Sequence, residues 1–460
     1  MFLVSSKQRT VFIKKTIKYT IRFLMSPAIL NLKFPFSLTN DQENAINAWI
    51  NNRYKGSIIY STGTGKTEIA FECAKRAAFN KCLLYQKENK NLNNFKILFL
   101  VPRIILIEQN MERLARYNID KESIGAFFGE KKDEKEITIS TYQSVINNHY
   151  LIKNSDMVIL DEVHFVSNTA FSYTNLFRII KEDPKKMILG LTATINELDP
   201  KYQEIIKTIP PVRRYLIKEA VDDGRLAKPE IISIEATLTN EEKDTYDKTS
   251  ELIRNISYKL NAYEPSIITK ILYQGGARSK YAKEWFSQVR IRKDLLNSSQ
   301  NKLERAVQII RKHHKEKSMI FSETIDSISK LKTILEKKNI PSEIIHSKIK
   351  IKERKSILER WGKDFFPLLS VHTLEIGYDI PQVGIAIILS NTSNVNQIAQ
   401  RIGRVIRKTE AKDKALIYII YVKETRDNKI VRMVDKAVGK KSDRIFKKTS
   451  TQTKITDKFN

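Results

Sequence analysis

A short apolar run, Ile58-Ile59-Tyr60, leads directly into Ser61-Thr62-Gly63-Thr64-Gly65-Lys66-Thr67, where a helical pattern opens. A buried strand that turns through two glycines into a helix N-terminus is the setting of a phosphate-binding loop. Glycine is scarce in this chain, 14 of 460 residues, so a chance pair beside Lys-Thr is a weak alternative. Gly63 and Gly65 let the backbone of Ser61, Thr62 and Thr64 turn tightly enough for its N–H groups to face a phosphate. Lys66 is then placed to reach the β- and γ-phosphates of ATP, and the Thr67 hydroxyl to bind Mg²⁺. Tyr60 stands where the general pattern has Gly or Ala.

A second feature lies about a hundred residues on. The apolar run Met157-Val158-Ile159-Leu160 ends in Asp161-Glu162-Val163-His164. Two adjacent carboxylates at the end of a buried strand need a reason to be there. Beside a phosphate loop the reason is hydrolysis: Asp161 holds the hydrated Mg²⁺ and Glu162 polarises the attacking water. His164 stands next to both.

The chain around these motifs divides by pattern. Short apolar runs at Ile58–Tyr60, Ile97–Val101, Ile137–Ile139, Met157–Leu160 and Met187–Leu189 alternate with helical segments, which predicts a parallel α/β sheet over about 34–196. Residues 197–297 are charged and read as a mostly helical connecting region. A second α/β series follows over 298–438, with strands at Ser318–Phe321, Ser342–Ile345, Leu368–Val371, Ile385–Leu389 and Ala415–Tyr421. Residues 1–33 read as a basic arm or leader, because the first 40 residues hold seven Lys/Arg and no acid. The Lys/Thr/Ser-rich stretch 439–460 reads as a disordered tail.

The formal net charge is +29. A surplus of that size favours a polyanionic partner through counterion release, although Lys-rich coding bias gives the same sign. Two cysteines, Cys73 and Cys82, form no disulfide framework and no zinc spacing, which fits an intracellular, reducing compartment. No apolar run is long enough for a membrane span.

With these residues in place, the chain resembles the superfamily-2 DExH-box helicases, and within them the XPB-type group with its archaeal, phage and large-virus relatives. Asp161-Glu162-Val163-His164 is similar to the DExH box, and the other motifs follow in the family's order. The resemblance implies an adenine-reading Gln42, nucleic-acid contacts at Pro102-Arg103 and Thr141-Tyr142-Gln143, and a coupling motif Thr192-Ala193-Thr194. In the second half, Ser318–Glu323 resembles motif IV, Thr373–Pro381 motif V and Gln400–Arg407 motif VI. Thr373 is then a strand contact, and Gly377 and Asp379 lie against the ribose. Gln400, Arg404 and Arg407 complete the ATP site. Arg404 and Arg407 are three apart on one predicted helical face, as two arginine fingers would be.

The implied fold is a pair of RecA-like domains with parallel sheets flanked by helices, plus a helical insertion. The implied activity is ATP-dependent separation of strands or translocation, on DNA in preference to RNA, with protein partners that load or direct the motor. After Thr194 the chain reads Ile195-Asn196-Glu197-Leu198-Asp199, without the Arg-Glu-Asp usual in XPB-type proteins. An RNA helicase, a double-strand translocase, the motor subunit of a restriction or repair complex and a nucleotide-gated clamp are the rival readings. Between Gly275 and Lys293, basic and aromatic residues interleave. Tyr281, Trp285 and Val289 recur at helical spacing, which reads as a buried stripe, with some of the arginines left for strand contact.

Overall fold

The computed structural model describes residues 26–166, 171–193, 195, 202–346, 348–371, 383–390 and 414–437. The chain forms two units, dividing between Ala220 and Val221.

In the first unit the strands are β1 (Lys55–Tyr60), β2 (Ile97–Val101), β3 (Ile124–Phe128), β4 (Lys131–Lys132), β5 (Ile137–Thr141), β6 (Met157–Leu160), β7 (Met187–Thr192) and β8 (Pro211–Tyr215). They pair in the order β4-β3-β5-β2-β6-β7-β1-β8. Every pairing is parallel except β3 with β4. Parallel strands need covered faces, which is why β2 and β6 are apolar and buried at every residue. Three helices frame the site: α1 (Asn40–Asn51), α2 (Lys66–Lys87) and α3 (Ile105–Arg116). Cys73 and Cys82 both lie on α2 as free thiols. Burial raises the Cys73 thiol's pKa well above its ordinary value.

The second unit carries β9 (Lys228–Ala236), β10 (Ser318–Ser322), β11 (Glu343–Ile345), β12 (Pro367–Val371), β13 (Ile385–Ile388) and β14 (Lys414–Val422). Their order is β11-β12-β10-β13-β14-β9, parallel throughout. Helices α4 (Asn240–Leu260), α5 (Pro265–Gln274) and α6 (Ala277–Ser298) have an apolar cluster of their own, including Ile253, Ile268, Ile271 and Trp285. The Trp285 indole donates to Ser257 Oγ at 2.8 Å. After them, α7 (Gln300–Lys312) and α8 (Ile325–Lys337) pack against the second sheet.

Three expectations gain detail here. Residues 197–297 are mostly helical, but they also carry two strands. Pro211–Tyr215 joins the first sheet as β8, and Lys228–Ala236 joins the second as β9. Both are edge strands with charged and half-buried residues, so neither shows the continuous apolar run that marks an interior parallel strand. Secondly, the end of the basic arm is docked on the first unit. Ala28, Ile29 and Leu32 are buried, Ala28 N–H donates to Glu136 Oε1 at 2.9 Å, and Lys75 Nζ donates to the Leu32 carbonyl at 2.8 Å. Thirdly, of the predicted stripe on α6, Trp285 is 5% exposed and Val289 packs beside it, but Tyr281 is 43% exposed. Lys259 lies over the Tyr281 ring, so the phenol covers the rim of the cluster. No helix among the described residues is long and apolar enough to cross a membrane.

Candidate functional site

The strand order of the first sheet explains how residues a hundred positions apart come together. β7 lies between β1 and β6, so the segments leaving the carboxyl ends of β1 and β6 flank the end of β7. The loop Ser61–Gly65 leaves β1, Asp161 and Glu162 leave β6, and Thr192 ends β7. Carboxyl ends of parallel strands are where open α/β sheets bind ligands.

The phosphate loop is held in its turned form from within. Gly63 and Gly65 have φ of 87° and 89°, a region that side chains rarely enter. Thr64 Oγ1 donates to the Ser61 carbonyl at 2.7 Å. Gln42 Nε2 donates to the Thr64 carbonyl at 3.2 Å, while its Oε1 accepts from Thr39 N–H at 3.0 Å. Gln42 is thus 4% exposed, caps α1 and braces the loop. A Cβ on Gly65 would stand 2.3 Å from Gln42 Nε2. Gly65→Ala is therefore expected to raise KM for ATP about tenfold, from left-handed strain and a displaced Gln42. A titration of steady-state ATPase against ATP checks this.

The charged centre is compact. Lys66 Nζ donates to the Tyr60 carbonyl at 3.1 Å and lies 3.8 Å from Glu162 Oε1. Glu162 has a φ of 49°, strained for a residue other than glycine. His164 Nδ1 lies 3.3 Å from Glu162 Oε2 and 2.9 Å from Thr192 Oγ1, so one imidazole bridges the carboxylate and the end of β7. Burial alone would raise the Glu162 pKa, but the Lys66 charge and His164 outweigh it and hold the carboxyl below its ordinary range. Burial, with the Glu162 charge beside it, raises the pKa of Asp161. The two carboxyls therefore differ in character: Lys66 and His164 favour the charged form of Glu162, and burial beside Glu162 disfavours that of Asp161.

Residues present fit a nucleoside triphosphate with Mg²⁺. Ser61 Oγ and Thr62 Oγ1 are buried without a hydrogen-bond partner, at the loop where phosphate oxygens would be met. Thr67 on the first turn of α2 and Asp161 supply hard oxygen donors. No cluster of three or more His, Cys, Asp or Glu able to hold a metal occurs among the described residues. Mg²⁺ of a phosphate site needs none, since it takes one or two protein oxygens and completes its shell with phosphates and water.

Other expected residues are placed as follows. Pro102 and Arg103 follow β2, half-buried at the same sheet edge. Thr141 caps a short helix, accepting from Ser144 N–H at 3.2 Å, and Gln143 is exposed. Tyr142 departs from its reading as a surface contact: it is 3% exposed, and its hydroxyl donates to the Asp161 carbonyl at 2.7 Å. The phenol sits within the fold and fixes the backbone of the acid. Ala193 N–H lies against the Glu162 carboxylate. Thr194, Thr373, Gly377, Asp379, Gln400, Arg404 and Arg407 lie outside the described residues. Asp41 and Arg213 went unread in the sequence. Tyr60, a large phenol beginning a phosphate loop, was the one signal that a partner had to be found for it.

Comparison with known proteins agrees with this geometry. Residues 35–197 match the family described as "Type III restriction enzyme, res subunit", and residues 301–409 match "Helicase conserved C-terminal domain". A "DNA 3'-5' translocase XPB2" of Sulfurisphaera tokodaii is 27% identical over 92% of this chain and 90% of its own length. A "DNA 3'-5' helicase XPB" of Mycobacterium tuberculosis is 23% identical over 81% of this chain, which spans 58% of that protein. "Putative helicase 22" of a Sulfolobus islandicus filamentous virus is 26% identical over 84% of this chain, which spans 64% of that protein. Among solved structures, the Pyrococcus furiosus Hef helicase domain aligns with a TM-score of 0.53 at 19% identity, covering 85% of this chain and 97% of its own. The DNA-bound Type ISP restriction-modification enzyme LlaBIII aligns with a TM-score of 0.57 at 15% identity, covering 88% of this chain and 30% of its own. Phosphate loop, acid pair, two parallel sheets and these family matches agree: the chain belongs to the superfamily-2 helicases and is similar to XPB-type proteins.

Proposed function

We propose that the chain is an ATP-hydrolysing motor that acts on DNA, separating strands or moving along the duplex. The observation that carries this is the meeting of Lys66, Asp161, Glu162, His164 and Thr192 at one sheet edge. That arrangement has a binding charge, an acid for the cation, a base for water and a bridge to the next segment. Thr67 and Asp161 would hold Mg²⁺, which when bound supplies charge neutralisation at the phosphates. Gln42 would read adenine, beside its bracing role.

The rest of the site is assigned to the second half of the chain. Arg404 and Arg407 meet the γ-phosphate, with Gln400 alongside, and Gly377 and Asp379 meet the ribose. The γ-phosphate then favours the closed pair of domains, because only there does it touch both sets of charges. Hydrolysis removes that bridge. Pro102, Arg103, Thr141, Gln143 and Thr373 hold the nucleic-acid backbone through the cycle. His164, Thr192, Ala193 and Thr194 pass the state of the ATP site to those contacts.

DNA is favoured over RNA because the XPB-type relatives are named for DNA. Partner proteins would choose the loading site. The translocase in the name of the Sulfurisphaera relative supports a second reading, movement on duplex without strand separation.

One panel tests these readings. Steady-state ATPase is expected to rise at least about tenfold with DNA over the protein alone, and to weaken steeply as salt increases. RNA is expected to stimulate less. Displacement of a third strand from a triplex, without displacement from a forked duplex, selects the translocase. Turnover indifferent to every nucleic acid at low salt sinks the proposal.

A further inference from the structure

Tyr60 occupies the first glycine position of the general phosphate-loop pattern. Glycine is not needed there, because Tyr60 ends β1 in an ordinary strand conformation. Its ring is fully buried and lies 5.2 Å from that of Tyr215 on β8. Its hydroxyl donates to the Asp41 carbonyl at 3.0 Å and to the Asp41 carboxylate. The other Asp41 oxygen accepts from Arg213 Nη2 at 2.7 Å.

These contacts join three segments: the start of α1, the end of β1 and the edge strand β8. Asp41 precedes Gln42, which holds the Thr64 carbonyl of the phosphate loop. Tyr60 offers its own carbonyl to Lys66. Arg213 comes from the edge strand, opposite Ile58 in the register of β1. The Asp41 carboxylate is therefore the shared point between the Gln42 element, the strand under the phosphate loop and β8. Its side chain is 13% exposed and that of Arg213 is 41% exposed. A lone ion pair at that exposure contributes little, but this one orients a carboxylate that a buried hydroxyl also holds.

We propose that Tyr60 and Arg213 are positioning residues that clamp Asp41, and through it Gln42, on the phosphate loop, so that recognition of the base and binding of the phosphates act together. The inference rests on the reading of this edge as an ATP site. It goes beyond that reading by assigning a role in nucleotide selectivity to two residues that act through Asp41 and Gln42. Loss of either clamp leaves the phosphate loop, Lys66 and the acid pair in place but frees the Gln42 element to move relative to them.

The test is nucleic-acid-stimulated turnover of Tyr60→Phe and Arg213→Met with ATP and with GTP. Tyr60→Phe keeps the ring and removes only the hydroxyl. It is expected to raise KM for ATP about five- to tenfold, the size of one ordinary intramolecular hydrogen bond, with kcat within about twofold. Because the base contact is what loosens, KM for GTP should move less, and the preference for ATP should shrink. Arg213→Met should shift both quantities the same way by a smaller factor, and Arg213→Lys should restore part of the loss. Arg213 is half-exposed, so it carries the test if the Tyr60 variant does not fold. KM for ATP unchanged in both variants, or ATP and GTP shifted by one common factor, overturns the clamp. Lys66→Ala tests the underlying site separately: turnover retained there overturns the ATP site itself.

Discussion

Glu162→Gln is expected to lower nucleic-acid-stimulated ATP turnover by about a hundred- to ten-thousandfold while ATP binding is kept or tightened. The substitution is nearly isosteric, so the strained turn after β6 and the packing around it stay as they are. What disappears is the charge. In the wild-type chain the Lys66 ammonium and His164 hold Glu162 as the anion at 3.8 Å and 3.3 Å, so the carboxylate is poised to take hydrogen-bonding character from a water. Glutamine cannot accept a proton at neutral pH. It also removes one negative charge from the neighbourhood of the γ-phosphate, which is why binding should not weaken. Single-turnover hydrolysis with a fluorescent ATP analogue, read beside its equilibrium binding, separates the two. Hydrolysis within tenfold of wild type would show that another group activates the water.

The second large effect is on stability. Lys302 on α7 and Asp427 after β14 form an ion pair of 2.5 Å at 0% and 1% side-chain exposure. The same carboxylate oxygen accepts from Val422 N–H at 3.0 Å, so the pair fastens the end of β14. Removing one partner leaves the other charge buried without compensation. Lys302→Met is therefore expected to cost about 3–5 kcal/mol, a fall of roughly 6–15 °C in the unfolding midpoint of the second unit. Trp285 and Trp361 are buried in that unit and Trp49 in the first, so tryptophan fluorescence in a Trp49→Phe background reads the second unit. The double variant Lys302→Met with Asp427→Leu should recover most of the loss, because burying neither charge costs less than burying one. A midpoint unchanged in the single variant would mean that the Asp427 carboxyl finds another partner or reaches water once Lys302 is gone.

Much of this protein was determined by the sequence alone. Two runs of apolar strands with helices between them specify parallel sheets, since such strands are buried on both faces and show it at every residue. The loop Ser61–Thr67 and the acids Asp161-Glu162 could be read because their chemistry needs particular residues at consecutive positions. Edge strands escaped for the opposite reason: β8 and β9 are covered on few sides and keep their charges, so their pattern resembles the helices around them.

Only tertiary structure decided which of the local motifs touch. The order β6-β7-β1 sets Thr192 between the loop and the acids and lets His164 bridge them. It also turned Tyr142 inward onto Asp161 and made Asp41 the meeting point of Tyr60 and Arg213. Such contacts join residues from 19 to 172 positions apart. Pairings over those separations depend on the crossing of strands in a sheet, which no stretch of sequence carries by itself.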